Sequence, residues 1–404
     1  VKRRIFISTG EVSGDLQGSL LVSALFRQAA LRQLDLEILA LGGERMASAG
    51  ATLLGDTRTI SSIGLLEAVP QILPTLQVQH RAKAILRTHP PDVVVLIDYI
   101  GANTYIGRFV RQQFPQVPIV YYIAPQEWVW ALSDRNTYEI ADITDRLLAI
   151  FPEEARYYRQ YGIDTRFVGH PLIDQTPSLP HRQAARAELE IPPEQVAILL
   201  SPASRQQELR YLLPTILQAA QQIQAQLPQV HFWIPLALPQ FQAPIEQEIR
   251  AHGLSATLVA PAQSHCAIAA ADAAITKSGT INLEIALLGV PQVVVYRLSP
   301  ITAWIARHIL KMKIPFASPV NLVLMREVIP ELLQEQMTAE RISQAVFELL
   351  QPERRQRLLA DYAQMKQALG EPGAVDRAAT EILNLLPTSG PVDVQDNRSQ
   401  LFQC

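Results

Sequence analysis

The stretch Arg4–Leu21, RIFISTGEVSGDLQGSLL, sets the problem. A short β-type run, RIFIS, ends in a loop with glycines at 10, 14 and 18 and carboxylates at 11 and 15, and an apolar helical segment follows. Glycine suits a tight strand-to-helix turn, but a turn has no need of two acids. The free N–H groups opening such a helix favour an anion, and either Ser13 or Asp15 is suited to cap it. Neither role covers Glu11 as well.

The same alternation continues along the chain. LEILAL (36–41), DVVVLID (92–98), IVYYI (119–123), RLLAIF (146–151) and TRFVGHP (165–171) are β-type runs separated by segments of helical period. After a polar, proline-bearing stretch over 175–195 the pattern restarts with VAILLS, HFWIP, ATLVA, DAAIT and QVVVY. Continuous Val/Ile/Leu runs between helices indicate parallel strands covered on both faces. The fold class is α/β, with two Rossmann-like, doubly wound domains over 1–180 and 190–386. The breaker-rich stretch 387–404 reads as a disordered tail.

Composition narrows the function. The chain has 404 residues, 48% of them hydrophobic, enough for two domains with cores. A net charge of −3 without a long basic run argues against nucleic acid as a partner. The two cysteines, Cys266 and Cys404, suit a reducing compartment and no disulfide framework. There is no Asp-x-Asp and no His-Glu-x-x-His, so no metal and no cofactor are expected. VKRRIFIS reads as a first strand rather than a signal peptide, and no run approaches the roughly 18 apolar residues of a membrane span. The expected location is cytoplasmic, or on the inner face of a membrane.

Ligands of parallel sheets sit beyond the carboxyl ends of the strands, so polar residues there carry the chemistry. Asp98 ends the apolar run VVVLI; it is either an N-cap or a catalytic carboxylate, and Asn103 could cap in its place. APQEWVWA (124–131) places Trp128 and Trp130 beside Glu127, as a ring-holding platform or as packed core. In the second half, Arg205 directly precedes a helix, where a guanidinium and N–H groups can share a phosphate. Lys277-Ser278-Gly279-Thr280 forms a strand-to-helix turn with Glu284 one helical turn on, suited to a pyrophosphate and to ribose hydroxyls. Ordinary helix capping is the competing account of that turn. His170 reads as a polar group at a strand end.

Taken together, GEVSGDLQG, GGERMASAG, IGLLEAV, VVVLIDYIGAN, APQEWVWA, FVGHPL, PASRQQEL, KSGTINLE, VVVYR and NLVLMREVIPELLQ resemble the lipid-A-disaccharide synthase family, inverting glycosyltransferases of the GT-B type. The resemblance implies two domains facing across a cleft. It also implies transfer of 2,3-diacylglucosamine from its UDP derivative to 2,3-diacylglucosamine 1-phosphate, giving a β-1,6 disaccharide phosphate and UDP without a metal. By that likeness Asp98 is the base, with Glu11 and Asp15 as further acids. Ser13, Gly14, Asn103 and Trp128 would lie on the acceptor side. Arg205, Ser278, Gly279, Thr280, Glu284, Tyr296, Asn321 and Gln334 would lie on the UDP side. Departures include Pro202-Ala203-Ser204-Arg205 for the usual Pro-Gly-Ser-Arg, and Gly101 where the family carries a second acid.

Two diacylated substrates imply peripheral membrane contact. Ile63–Arg87, with Leu65, Leu66, Val69, Ile72, Leu73 and Leu76 followed by Arg81, Lys83 and Arg87, is the expected docking segment, and Pro70 and Pro74 should keep its helix short. Residues 301–316 form a second candidate. The resemblance also admits a homodimer. Competing readings are another UDP-sugar transferase or epimerase of the same fold, or a non-catalytic lipid-binding relative.

Overall fold

The computed structural model describes residues 2–10, 12–57, 72–130, 133–203, 206–299, 304 and 314–387. Among the described residues, seven strands build the first sheet: β1 Arg3–Thr9, β2 Leu36–Gly42, β3 Thr52–Asp56, β4 Val93–Ile97, β5 Ile119–Tyr122, β6 Arg146–Ala149 and β7 Asp164–Phe167. Six build the second: β8 Val196–Ser201, β9 Val230–Pro235, β10 Ala256–Val259, β11 Ala273–Lys277, β12 Gln292–Tyr296 and β13 Glu331–Leu333. Their orders are β3-β2-β1-β4-β5-β6-β7 and β10-β9-β8-β11-β12-β13, and every pairing is parallel.

Helices on both faces bury the central strands. All five residues of β4 are fully buried, which is why VVVLI carries no alternation. β3 and β13, which the sequence reading did not assign, lie at sheet edges and are only partly buried, so their apolar signal is weak. Each sheet reverses strand order once, between β1 and β4 and between β8 and β11. Those two points are where a doubly wound sheet leaves a crevice for ligand.

The polar stretch 175–195 is more ordered than a linker. Its helix Arg182–Glu188 belongs to the second sheet: Arg182 and Arg186 both pair with Asp272, whose carboxylate also accepts the N–H of Ala197 at 2.9 Å. The helix Ala374–Leu383 crosses back and packs on the first helix, Val12–Leu31. The Asp174 carboxylate accepts the N–H groups of Gly373, Ala374 and Val375 at its start.

Of the expected docking segment, 58–71 lies outside the described residues, and so does most of 301–313. The helix that follows runs Ile72–Thr88, so Pro74 sits in its first turn rather than ending it. Lys83 faces inward instead of toward headgroups: its ammonium lies 3.1 Å from the Tyr105 ring centroid, and burial lowers its pKa. Arg87 stacks on Phe109 at 5.1 Å. Among the described residues, no helix is long and apolar enough to cross a membrane.

Candidate active site

Thr9 pairs with Ile97 at the first switch point, which brings the loops after β1 and β4 side by side. A Cβ on Gly10 would lie 2.3 Å from the Tyr99 ring, and one on Gly14 would lie 1.8 Å from Thr9 Oγ1. Gly10 lets the turn sit directly on the neighbouring loop, and Gly14 lets the opening helix close on the end of its own strand β1. Glu11 lies outside the described residues, and Ser13 is exposed. Asp15 takes a different place from the one expected of a catalytic acid. It is 1% exposed, and its carboxylate accepts N–H groups from Gly43 at 2.8 Å, Met46 at 3.2 Å and Arg45 at 3.3 Å. It caps the short helix Glu44–Ser48.

Asp98 sits half-buried just past β4, and its backbone is strained. Asp98 (φ 49°) and Tyr99 (φ 44°) are both left-handed, as is Ile123 (φ 57°) just past β5. For a β-branched residue this conformation is an outlier that surrounding structure must enforce. The Asp98 N–H donates to the Ile123 carbonyl at 3.0 Å, and the Tyr121 hydroxyl donates to the Asp98 carbonyl at 2.9 Å. The carboxylate accepts the N–H of Tyr99 at 2.8 Å. Burial, with Asp98 and Glu127 adding negative charge, raises the Tyr121 pKa and keeps its hydroxyl protonated to donate.

Asn103, expected to contact substrate, is instead a fully buried brace. Its amide donates to the carbonyls of Ile97 at 2.9 Å and Asp98 at 2.7 Å, and it accepts from Ser8 Oγ at 2.8 Å. Trp128 is also core, 8% exposed, with its ring 5.4 Å from Phe151. Trp130 is the exposed member of the pair. Beside them Glu127 accepts from Asn136 at 3.2 Å, its other oxygen is buried without a partner among the described residues, and burial raises its pKa. His170 caps the helix Pro171–Gln175 by accepting the Leu172 N–H, and burial lowers its pKa to about 3, leaving it neutral.

The second switch point pairs Ser201 with Thr276, so Pro202 and Ala203 leave the sheet beside the turn Lys277–Thr280. Ser204 and Arg205 lie outside the described residues. Gly279 has φ 155°, a conformation favouring glycine, and its N–H donates to Asn282 Oδ1 at 2.9 Å. Asn282 also donates to the Lys277 carbonyl at 3.0 Å and to Gln292 at 3.2 Å, a buried brace that the sequence reading did not single out. The Lys277 ammonium lies 3.3 Å from the Glu208 carboxylate. The Ser278 hydroxyl donates to the Ala317 carbonyl at 2.6 Å, so its proton is already committed. Thr280 is exposed at the helix start. Glu284 Oε2 lies 3.4 Å from His265 Nε2, and the carboxylate raises the His265 pKa.

Asn321 departs most from expectation. It is fully buried; Oδ1 accepts from Val328 at 2.7 Å and Ile329 at 3.0 Å, and Nδ2 donates to the Ile329 carbonyl and to Glu331. Every polar atom of its amide is engaged by protein, and it holds the turn into β13. Tyr296 closes β12 opposite Leu333. Gln334 (φ 52°) follows, and its carbonyl accepts from Arg297. Among the described residues no cluster of His, Cys, Asp or Glu could hold a metal ion.

Comparison with known proteins agrees with this architecture. The family described as lipid-A-disaccharide synthetase matches residues 5–383. A lipid-A-disaccharide synthase of Gloeothece citriformis is 57% identical over 382 residues, 94% of this chain and 99% of that protein. Those of Synechocystis sp. and Prochlorococcus marinus are 54% and 50% identical, over 94% and 95% of this chain and 97% and 100% of theirs. Among solved structures, a UDP-N-acetylglucosamine 2-epimerase of Listeria monocytogenes shares the fold at TM-score 0.65 and 14% identity, over 95% of this chain and 96% of that one. The S. aureus MnaA–UDP structure does so at TM-score 0.64 and 15% identity, over 97% and 99%. The fold is that of the GT-B glycosyltransferases and epimerases. This chain belongs to the lipid-A-disaccharide synthetase family.

Proposed function

We propose that this chain transfers 2,3-diacylglucosamine from its UDP derivative to 2,3-diacylglucosamine 1-phosphate, with inversion, giving a β-1,6 disaccharide 1-phosphate and UDP. The family relationship over nearly the whole chain carries this reading. In it, residues 1–180 form the acceptor domain and 190–386 the UDP domain.

Asp98 is the base. It takes the proton from the acceptor hydroxyl as the oxygen bonds to the anomeric carbon and the bond from that carbon to UDP breaks. One carboxylate on the face opposite the leaving group is sufficient for inversion. Arg205 and the N–H groups of the helix beginning at Gln206 neutralise the leaving diphosphate, and Glu284 takes the ribose hydroxyls. Asp15, Asn103 and Asn321 support the loops from below. The acyl chains stay in the bilayer, so the enzyme works at the cytoplasmic face of a membrane.

Incubating the chain with both acylated substrates in mixed micelles tests the reading. Stoichiometric UDP and a disaccharide phosphate by mass spectrometry are expected, and turnover should persist under exhaustive chelation. Epimerised donor, or no product, would overturn it. Loss of turnover on chelation with recovery on adding magnesium would overturn its metal independence.

A further inference from the structure

Glu154 is a buried carboxylate for which the mechanism above has no use. It lies on the helix Pro152–Gln160, 1% exposed. One oxygen accepts the N–H groups of Ile150 at 2.8 Å and Phe151 at 3.2 Å, the ordinary service of a glutamate at the third position of a helix. The other reaches across to the loop after β5 and accepts the N–H of Ala124 at 2.8 Å. Capping does not require that second contact.

The same helix grips the loop again. The Tyr158 hydroxyl donates to the Pro125 carbonyl at 2.8 Å. The two contacts hold consecutive residues, one by its N–H and one by its carbonyl. Ala124 directly follows Ile123, the left-handed β-branched residue whose carbonyl receives the Asp98 N–H. A strained conformation persists only where neighbours over-determine it, and here the neighbour is a carboxylate on a separate helix.

We propose that Glu154 is a positioning residue for Asp98: by holding the Ala124 N–H it fixes the Ile123 carbonyl, which in turn holds the Asp98 backbone left-handed at the end of β4. The inference rests on Asp98 being the base. Glu154 does not touch substrate, and its effect is geometric. A misplacement of about 1 Å at a reacting group can cost about 100-fold in rate.

Protonation supplies a readout. Burial raises the Glu154 pKa to about 7, against the three N–H donors that favour its charged form, and the nearby Asp98 charge adds to the rise. The phenols of Tyr122 and Tyr158 also face it, and burial keeps both protonated. Below about 7 the carboxyl gains a hydrogen, one oxygen stops accepting, and the hold on the loop loosens.

The test compares Glu154→Gln, Tyr158→Phe and Asp98→Asn with wild type by steady-state kinetics across neutral pH, with thermal melts. Glutamine keeps the volume but turns an N–H₂ toward one set of N–H donors. Glu154→Gln should lose about 10- to 100-fold in kcat at unchanged KM, and the acid limb of the rate profile, near 7 in wild type, should move lower. If Glu154→Gln folds and keeps wild-type kcat and acid limb while Asp98→Asn is inactive, Glu154 is only a helix cap and the proposal is overturned. Wild-type turnover by Asp98→Asn would instead overturn the base assignment on which it rests. Should Glu154→Gln not fold, Tyr158→Phe decides, since it removes only the hydroxyl on Pro125. A fall in kcat at constant KM supports the positioning role, and wild-type kcat overturns it.

Discussion

His265 and Glu284 face each other across the second switch point, Nε2 3.4 Å from Oε2, on the helices Ser264–Ala270 and Ile281–Leu287. The carboxylate raises the imidazole pKa above 6.5. The folded state therefore holds the proton more tightly than the unfolded chain does. Any stability from the pair is present below the unfolded pKa and lost as pH rises through the folded one. An NMR titration should show His265 titrating above 6.5 and returning toward it in Glu284→Gln. Adding UDP should perturb it further if Glu284 receives the ribose. A UDP-insensitive His265 would place the nucleoside elsewhere.

Asp98→Asn should leave UDP affinity close to wild type and reduce kcat by about 10²–10⁴-fold, the usual loss when a general base is removed. UDP binding by calorimetry and turnover with both substrates separate the two quantities. Turnover near wild type would move the role to Glu11.

Asn321→Ala should act through stability. It strands the N–H groups of Val328 and Ile329 in a buried turn, at a cost of about 2–4 kcal/mol. A large drop in Tm with UDP affinity unchanged per folded molecule is expected. Unchanged Tm with lost UDP binding would restore Asn321 to the nucleotide site.

Gly14 and Gly101 should respond oppositely to alanine. At Gly14 the new Cβ meets Thr9 Oγ1, and overpacking of this kind costs about 1–3 kcal/mol. At Gly101, on the first turn of the helix Ile100–Gln113, no atom of the described residues would lie within 4 Å of a new Cβ, and alanine should stabilise by about 0.5–1 kcal/mol. Chemical denaturation of both variants checks the signs. A destabilised Gly101→Ala would mean that the departure at this position has a backbone cause.

The sequence by itself determined the two doubly wound sheets, because strands covered on both faces must be apolar throughout, and runs such as VVVLI and QVVVY have no other reading. It also placed Asp98 at a strand end and the Lys277–Thr280 turn ahead of Glu284, since both follow from where those runs stop. Tertiary structure decided which polar residues at those ends are available for chemistry. Asp15, Asn103 and Asn321 occupy motif positions as prominent as that of Asp98, yet each is buried with its polar atoms taken by other protein groups: Asp15 by backbone N–H groups after β2, Asn103 by the Ile97 and Asp98 carbonyls and Ser8, and Asn321 by Val328, Ile329 and Glu331. Glu154 shows the converse. In sequence it is one of two glutamates following a proline, and its reach to Ala124 exists only because β5 and β6 are neighbours in the sheet. Whether a carboxylate is free to react depends on the N–H groups that face it, and those come from strands paired across the fold, which no local pattern encodes.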